Sequence, residues 1–305
     1  SGSAANRNRR IWSMPELWSA HKQEEAGNNA LGSPMHRMPG EKREGRTGRE
    51  GNREGEGNIL NEKIWLLGQK AARLIELLLF PSSCRLCHCL LDKPGERIIC
   101  HDCWQRVYPP SFPFCPKCGR FFEINRKPDL CPDCEEQRWS FSLHRSCFRY
   151  EGLIKEIVLL FKYGKIKVLG QALGRKSLSV LAASELWTGL EVIVPVPLYS
   201  SRQRERGFNQ SEVIARELSR RKKIRLVSGA IIKVKDTPPQ ASLEAVARRE
   251  NVKGVYLVKQ KEAIKDKVVL LVDDVFTTGS TIEECSRVLM EAGAKEVRAM
   301  TVAQA

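Results

Sequence analysis

Apolar positions in the second half of the chain fall into short continuous runs that alternate with stretches of helical spacing. The runs "HRSCFRY", "EVIVPVPL", "AIIKVK", "VYLV", "VVLLV" and "EVRAMTVA" predict strands. The stretches "LIKEIVLLFKY", "VLGQALGRKSLSVLAAS", "QSEVIARELSRR" and "TIEECSRVLMEAG" predict helices with one apolar face. Aliphatic strands separated by helices are typical of a parallel sheet covered on both faces. We therefore predict an α/β domain over residues 139–305.

Two other patterns precede this domain. Residues 1–58 hold few aliphatic side chains and nine of the 22 glycines. We predict that they are disordered, because they cannot bury enough apolar surface to offset their ordering entropy. Residues 59–82 include "EKIWLLGQKAARLIELLLF", whose apolar positions recur at helical spacing up to Pro81, and predict an amphipathic helix. That helix would dock on its own domain or, alternatively, contact a partner or a membrane surface.

Charge and hydropathy narrow the class of protein. The net charge is +15, and residues 1–58 contribute only +2 of it, from 10 basic and 8 acidic side chains. The remaining +13 makes a polyanionic partner plausible without choosing one. No apolar run approaches the ~18 residues of a membrane span, and no apolar signal core opens the chain. We expect a soluble cytoplasmic protein.

Eight of the eleven cysteines form four C-x2-C pairs between residues 83 and 138. The pairs are Cys84 with Cys87, Cys100 with Cys103, Cys115 with Cys118, and Cys131 with Cys134. Two such pairs supply the four thiolates of a tetrahedral structural zinc, so the segment predicts a double zinc ribbon with two ions. An iron–sulfur cluster or a redox dithiol is the alternative.

The pairing of the four turns stays open at this point. Pairing the first turn with the second and the third with the fourth gives the shorter loops, whereas a cross-braced arrangement uses the same ligands. His88 and His101 lie beside ligands and are alternative donors. The other three cysteines, Cys89, Cys147 and Cys285, have no assigned role, although helical spacing makes Cys285 a candidate core thiol.

The stretch "VVLLVDDVFTTGST" combines a buried strand, two acids and a small hydroxylated loop that opens a helix. Ligands bind at the carboxyl ends of strands in open α/β sheets, where Asp273 and Asp274 stand. Their carboxylates can accept hydrogen bonds from vicinal sugar hydroxyls, and backbone amides at a helix start attract phosphate. The predicted phosphate ligands are Thr277, Thr278, Gly279, Ser280 and Thr281. Together these residues predict a ribose 5-phosphate site.

This stretch resembles the phosphoribosyl pyrophosphate (PRPP) motif of type I phosphoribosyltransferases. The chain has no Walker loop and no G-x-G-x-x-G motif. With the double cysteine module, "FKYGK", "IVPVPLYSSRQRERGFNQSEVIA" and "KDTPPQASLEAVARRENVKGVY", residues 75–305 resemble the ComF family of competence-associated phosphoribosyltransferase-like proteins. Lys233 and Lys235 stand where arginine is expected in many relatives.

The resemblance implies a type I phosphoribosyltransferase fold and a set of roles. Asp273 and Asp274 would hold the ribose and serve as the catalytic residues, with magnesium arriving alongside PRPP. Pyrophosphate and lid contacts would come from Leu198, Tyr199, Ser200, Ser201, Arg202, Arg206, Gln240, Arg248, Arg249 and Asn251. Lys162 and Tyr163 are conceivable acceptor contacts without an assignment.

Two functions remain open from the sequence. One is phosphoribosyl transfer to an unknown acceptor, linked through the resemblance to DNA uptake. The other is a binding or scaffold protein of the competence machinery that contacts single-stranded DNA and other competence proteins and uses PRPP only as a regulatory ligand. Residues 202–225 carry nine basic and three acidic side chains, and this stretch is the candidate DNA contact.

Overall fold

The computed structural model describes residues 82–93, 96–111, 113–122, 129–236 and 254–305. The predicted disorder of residues 1–58 and the helix predicted to end at Pro81 lie outside these ranges. Within the described ranges, no helix combines the length and the apolar character that a membrane crossing requires.

A five-stranded parallel sheet forms the centre of the fold, which confirms the predicted α/β class. Its strand order is β1-β7-β6-β2-β3, and all four neighbouring pairs are parallel. The strands are β1 Leu143–Arg149, β2 Val192–Pro195, β3 Arg225–Leu226, β6 Val268–Phe276 and β7 Glu296–Gln304. A separate antiparallel pair is formed by β4 Ile231–Lys233 and β5 Tyr256–Val258. Because β6 lies at the middle of the sheet, its carboxyl end has neighbouring strands on both sides.

Helices and zinc ribbons cover both faces of this sheet. The helices are α1 His101–Gln105, α2 Pro132–Glu136, α3 Gly152–Tyr163, α4 Lys167–Val180, α5 Ser200–Arg206, α6 Gln210–Lys222 and α7 Ser280–Glu291. Leu270 of β6 packs in the core that contains α3, α4 and α6, whereas the next residue, Leu271, packs in the core that contains α7 and β4. This alternation follows from the period of two along a strand.

The two ribbons lie on different cores. Cys84 of the first ribbon belongs to the core formed with α3, α4 and α6. Cys115 of the second ribbon belongs to the core formed with α7 and the β4–β5 pair. Each ribbon is too short to have a substantial core of its own, so each depends on the face of the sheet that it covers.

Four short elements of the α/β domain differ from the sequence-based expectation. The runs "AIIKVK" and "VYLV" do form strands, but they pair with each other outside the parallel sheet. Helix α5 and strand β3 were not predicted as elements. Helix α5 contains no buried residue and β3 is two residues long, so neither leaves an apolar periodicity in the sequence.

Candidate functional site

Two adjacent acids lie among the last four residues of β6, which continues past the predicted run "VVLLV" to Phe276. Asp273 Oδ1 accepts hydrogen bonds from Ser211 Oγ (2.7 Å) and from the backbone amide of Asp274 (2.8 Å). Asp274 Oδ1 forms an ion pair with Lys162 Nζ at 2.8 Å. Ser211 lies in the first turn of α6 and Lys162 in the last turn of α3, so three elements converge on this acid pair.

Burial and mutual repulsion perturb the acid pair. Burial, and then the charge of Asp274, raise the pKa of Asp273 to about 7, although the Ser211 hydrogen bond opposes the rise. Burial disfavours the charge on Lys162, but the carboxylate of Asp274 outweighs it and raises the pKa of Lys162. The lysine side chain is 17% exposed and its partner carboxylate 11%. The site therefore provides its own internal cation beside two hydrogen-bond acceptors.

The loop after β6 has the backbone of an anion-binding turn. Gly279 has φ +80°, a left-handed conformation that glycine adopts without strain. A Cβ on Gly279 would lie 2.7 Å from Phe276 Cζ and 3.0 Å from the ring of Trp139, so the loop rests directly on aromatic side chains. Glu283 donates the first helical backbone bond of α7, to Gly279 O at 2.8 Å. The amides of residues 280–282 therefore precede the helical ladder, which is the arrangement that binds phosphate at helix starts.

The hydroxyls of this loop, as the structure places them, already have neighbours. Thr278 Oγ1 lies 2.7 Å from Ser280 Oγ, within hydrogen-bond distance. Thr281 hydrogen-bonds the hydroxyl of Tyr256. Ser280 is buried and Thr277 is partly buried. The hydroxyls of Thr278, Ser280 and Thr281 are thus held by contacts within the protein.

The predicted pyrophosphate residues lie on and just before α5. Leu198 precedes the helix and Tyr199 is its N-cap residue. In the helix, Ser201 Oγ donates to Asp236 Oδ2 at 3.0 Å, and Arg202 Nε lies 3.4 Å from Asp236 Oδ1. Ser200 is the first residue of α5. Two side chains of the segment, Ser201 and Arg202, thus meet at Asp236, the last described residue before the range 237–253.

Two further cations border this region. Arg206 donates to Gln210 Oε1 at 3.1 Å and stacks over the ring of Tyr163 at 5.5 Å. Burial and then the charge of Arg202 lower the pKa of Lys233 of β4, while Asp236 and, more weakly, Asp273 oppose the change. Lys233 thus lies within electrostatic range of both the α5 segment and the acid pair. The predicted lid residues Gln240, Arg248, Arg249 and Asn251 lie outside the described residues.

Three residues of the site carried no assignment in the sequence. Lys162 was noted in "FKYGK" without a role, and Ser211 and Lys233 were not proposed as site residues. The sequence does contain a signal for the position of Ser211, because Asn209 is a preferred type of N-cap residue. In the structure, Asn209 Oδ1 accepts a hydrogen bond from the amide of Ser211 (3.1 Å), and Asn209 Nδ2 donates to Val196 O (2.9 Å). That cap pins the start of α6 to the end of β2, next to β6.

The eight paired cysteines form two separate groups of four thiols in sequential order. Cys84, Cys87, Cys100 and Cys103 form one group, and Cys115, Cys118, Cys131 and Cys134 form the other, with the sulfur atoms of each group within 4.8 Å of one another. Sulfur–sulfur distances of 3.9 Å for Cys84 to Cys103 and 3.5 Å for Cys118 to Cys131 are close to the separation of about 3.8 Å in a tetrahedron with zinc–sulfur bonds of about 2.3 Å. The donor set and its geometry fit zinc, and neither group uses a histidine.

Both ribbons repeat the same knuckle turn. The residue after the second cysteine is left-handed in each, His88 at φ +61° and Gly119 at φ +66°. Its amide donates to the carbonyl of the first cysteine, at 3.0 Å to Cys84 O and 2.9 Å to Cys115 O. His88 is therefore a turn residue in this structure. Cys89 is exposed, with Sγ 3.2 Å from Cys87 Sγ, whereas Cys147 and Cys285 are buried.

Comparison with known proteins agrees with this architecture. Residues 179–305 match the model of the phosphoribosyl transferase domain, and residues 75–135 match the double zinc ribbon domain. The chain is 31% identical to Competence protein F of Haemophilus influenzae over 211 residues, which cover 68% of this chain and 90% of that protein. It is 30% identical to Competence protein ComFC of Bacillus subtilis over 214 residues, covering 67% of this chain and 82% of that protein.

A third relative carries a different name. The chain is 29% identical to DNA utilization protein YhgH of Escherichia coli over 225 residues, covering 73% of this chain and 96% of that protein. The fold and the two matched domains define a phosphoribosyltransferase-fold protein with a double zinc ribbon. Within that class, the chain belongs to the ComF family.

Proposed function

We propose that this chain binds PRPP at the carboxyl edge of its sheet, as a phosphoribosyltransferase-like protein linked to DNA uptake in natural transformation. One observation carries the proposal: the acid pair of β6 and the amides that open α7 are separated by a single short loop. Acceptors suited to sugar hydroxyls and donors suited to a phosphate therefore adjoin each other along the chain, which supports binding of a phosphorylated ribose. The names of the relatives support the link to DNA uptake.

The acid pair would bind the two vicinal hydroxyls of the ribose. Asp273 has one oxygen engaged by Ser211, and Asp274 has one engaged by Lys162, which leaves further lone pairs on each carboxylate. Lys162 offsets the charge of the pair, so the carboxylates repel the phosphates of the ligand less than two bare acids would. The 5-phosphate would lie against the loop of residues 277–281 and the first amides of α7.

The pyrophosphate would face the cations around α5. Arg202, Arg206 and Lys233 supply positive charge on that side of the acid pair. Magnesium would be held mainly by phosphate and water oxygens, because hard cations favour such ligands and Lys162 already occupies one oxygen of Asp274. Bound there, the ion would neutralise charge on the leaving pyrophosphate.

If the chain catalyses transfer, its own residues have defined tasks. The bond from C1 of the sugar to the pyrophosphate oxygen breaks as a nucleophile bonds to C1, and positive charge develops on the sugar. Asp274, adjacent to the ribose, could stabilise that charge, while Arg202 and Lys233 stabilise the departing anion. The acceptor that provides the nucleophile is undefined.

Calorimetric titration with PRPP and magnesium tests the proposal. We expect binding to the wild-type protein and none to Thr278→Arg, because the arginine side chain would fill the phosphate loop. Thr188→Arg is the matched control, since Thr188 is exposed and lies just before β2, at the opposite edge of the sheet. A wild-type protein that shows no PRPP binding would refute the proposal.

Turnover is tested separately. A screen of acceptor bases for pyrophosphate release would assign transferase activity if one base supports it. Binding of PRPP without release on any base would instead favour the role in which PRPP is a regulatory ligand of a scaffold protein.

The second candidate function is binding of single-stranded DNA, and one surface favours it. A cleft of about 620 Å³ beside the edge strand β3 includes Arg216, Arg220 and Arg225 in its lining. Glu217 is buried and pairs with Arg220 at 2.8 Å and with Arg221 at 2.6 Å, and Arg216 pairs with Glu212 at 2.8 Å. Part of the positive charge of this surface is therefore already paired with carboxylates of the fold.

Fluorescence anisotropy with a labelled oligonucleotide tests this candidate. DNA binding through phosphate contacts predicts affinity that falls steeply with salt, and a loss in Arg216→Ser/Arg225→Ser. Thr278→Arg should leave it unchanged if the DNA and PRPP sites are separate, and loss of both ligands in that variant would make them one site. Absence of binding at low salt would remove the DNA candidate.

A further inference from the structure

The segment of residues 137–144, which joins the second ribbon to β1, contacts both the second four-cysteine group and the phosphate loop. Trp139 Nε1 donates to Cys134 Sγ at 3.2 Å. The same indole ring lies where a Cβ on Gly279 would approach it to 3.0 Å. One side chain thus touches a predicted zinc ligand at one end and the glycine of the phosphate loop at the other.

Ser140 extends this connection to the first turn of α7. Its amide and its hydroxyl both donate to the carboxylate of Glu283, at 2.8 Å and 2.7 Å. Glu283 is also the residue whose amide closes the first helical turn onto Gly279. The segment therefore contacts the start of α7 through the side chain of Glu283, the residue whose backbone amide bonds to Gly279.

His144 makes a second connection between the same two places. Its Nδ1 lies 2.6 Å from the carbonyl oxygen of Cys118, and its ring stacks on Phe276 at 4.1 Å between centroids. Burial lowers the pKa of His144 to about 3, so the ring is neutral and Nδ1–H donates to that carbonyl. Nε2 lies 3.0 Å from Thr301 Oγ1, and Thr301 is the β7 partner of Asp273.

The first ribbon offers a natural comparison. Its tryptophan, Trp104, packs with the core of α3, α4 and α6, which lies on the other face of the sheet. The backbone carbonyl of Trp104 accepts a hydrogen bond from Lys176 of α4 at 3.0 Å. Among the contacts of the described residues, those of the phosphate loop with a ribbon involve the second ribbon.

We propose that Trp139, supported by Ser140 and His144, is a positioning residue that couples the second four-cysteine group to the phosphate loop, so that metal in that group and a phosphorylated sugar at the loop strengthen each other's binding. The metal is the zinc that the four thiolates fit, and the sugar phosphate rests on the function proposed above. Loss of the metal would release Cys134 and the knuckle of Cys118, and with them the support beneath Gly279 and Phe276.

The coupling can be measured in two ways: as the effect of the metal on sugar phosphate affinity, or as the effect of the sugar phosphate on metal binding. By linkage, a sugar phosphate that binds the supported loop better must tighten metal binding by the same factor by which metal improves sugar phosphate affinity. Affinity differences between related complexes arise mostly in the dissociation rate, so we expect the gain as slower metal release. We expect a factor of about 5 to 20, in the usual range of such couplings. Removing the N–H donor of Trp139 should accelerate metal loss from the second group about tenfold, the lower end of what is typical for partners of metal ligands.

Zinc release into a chromophoric chelator tests the proposal in the full chain. Two phases are expected, and Cys134→Ser identifies the phase of the second group. Ribose 5-phosphate should slow that phase about fivefold or more and leave the other unchanged. Trp139→Phe, which keeps a ring against Gly279 but loses the N–H, should accelerate it, whereas the matched change Trp104→Phe should not. The wild-type comparison with and without ribose 5-phosphate needs no variant to fold.

A ligand-free measurement separates this inference from the proposed function. Hydrogen exchange of residues 276–283 should accelerate in zinc-depleted protein and in Trp139→Phe, and stay unchanged in Trp104→Phe. If neither PRPP nor ribose 5-phosphate binds but this exchange responds, the proposed function fails, whereas the support of the loop by the second four-cysteine group stands. Bound ribose 5-phosphate without any slowing of zinc release, together with exchange insensitive to zinc, would overturn the coupling.

Discussion

Asparagine in place of Asp273 is expected to stabilise the folded protein while weakening its binding of ribose phosphate. Asparagine keeps an Oδ1 that can accept the bonds from Ser211 and from the amide of residue 274. It removes the charge that burial and Asp274 disfavour, so the neighbouring ion pair with Lys162 is left with one fewer negative charge beside it.

The magnitude follows from the pKa of Asp273. In the unfolded chain the carboxyl ionises near its ordinary pKa of 3.8, whereas in the folded protein it keeps its proton to about pH 7. The folded state thus binds more protons between these values, so stability falls as pH rises through them. At about 1.4 kcal/mol per pH unit, the wild type loses about 3 kcal/mol by pH 6 and about 4 kcal/mol by pH 8. These are upper values, because Asp273 is partly exposed.

Urea unfolding at pH 6 and pH 8, with zinc in excess, measures the effect. Asp273→Asn should raise the free energy of unfolding at both values, and by about 1 kcal/mol more at pH 8. Asp274→Asn is the matched control: it leaves Lys162 buried without its carboxylate and should lower stability by about 2 kcal/mol, the usual worth of a hydrogen bond to a charged group. A stabilisation by Asp273→Asn that does not grow with pH, or a loss at pH 8, would refute the reasoning.

Two further substitutions test the site in the same way. Lys162→Met removes the cation from a buried pair and should cost about 3 kcal/mol in urea unfolding at pH 7, whereas Lys155→Met, exposed on the same helix, should change stability by less than about 0.5 kcal/mol. Gly279→Ala combines φ +80° with a clash against Phe276 and should cost about 2 to 5 kcal/mol in denaturant unfolding. Gly207→Ala has φ +81° but open space around its Cβ, so it should cost only about 1 kcal/mol. Equal losses at the two glycines would mean that the aromatic contact contributes nothing.

Elements that bury a continuous apolar run could be predicted from the sequence. The run "VVLLV" forms the first five residues of β6, Val268–Phe276, because a strand covered on both faces needs aliphatic residues at consecutive positions. Helix α5 escaped prediction because it buries no side chain. The pairing of β4 with β5 escaped as well, because partner choice depends on contacts across a gap of more than twenty residues in the chain.

The residues of the site also differ in whether the sequence alone reveals them. Asp273, Asp274 and the loop that follows are contiguous, so their chemistry is legible in one stretch of sequence. Lys162, Ser211 and Lys233 come from three separate elements, and only the fold brings them to the acid pair. Their residue types are common on helix and strand surfaces, so type and spacing alone give no reason to single them out.

The features that a sugar phosphate would use are the features that cost the empty fold stability. Asp273 is held in surroundings that disfavour its charge, and Gly279 lies against aromatic rings in a conformation that other residues resist. Such a site needs support from outside itself, since the loop has little apolar surface of its own to bury. The second ribbon supplies that support through Trp139 and His144. This gives a physical reason for a structural metal centre to be joined to a phosphate-binding loop: four metal–sulfur bonds stiffen a short segment that packing alone would leave soft.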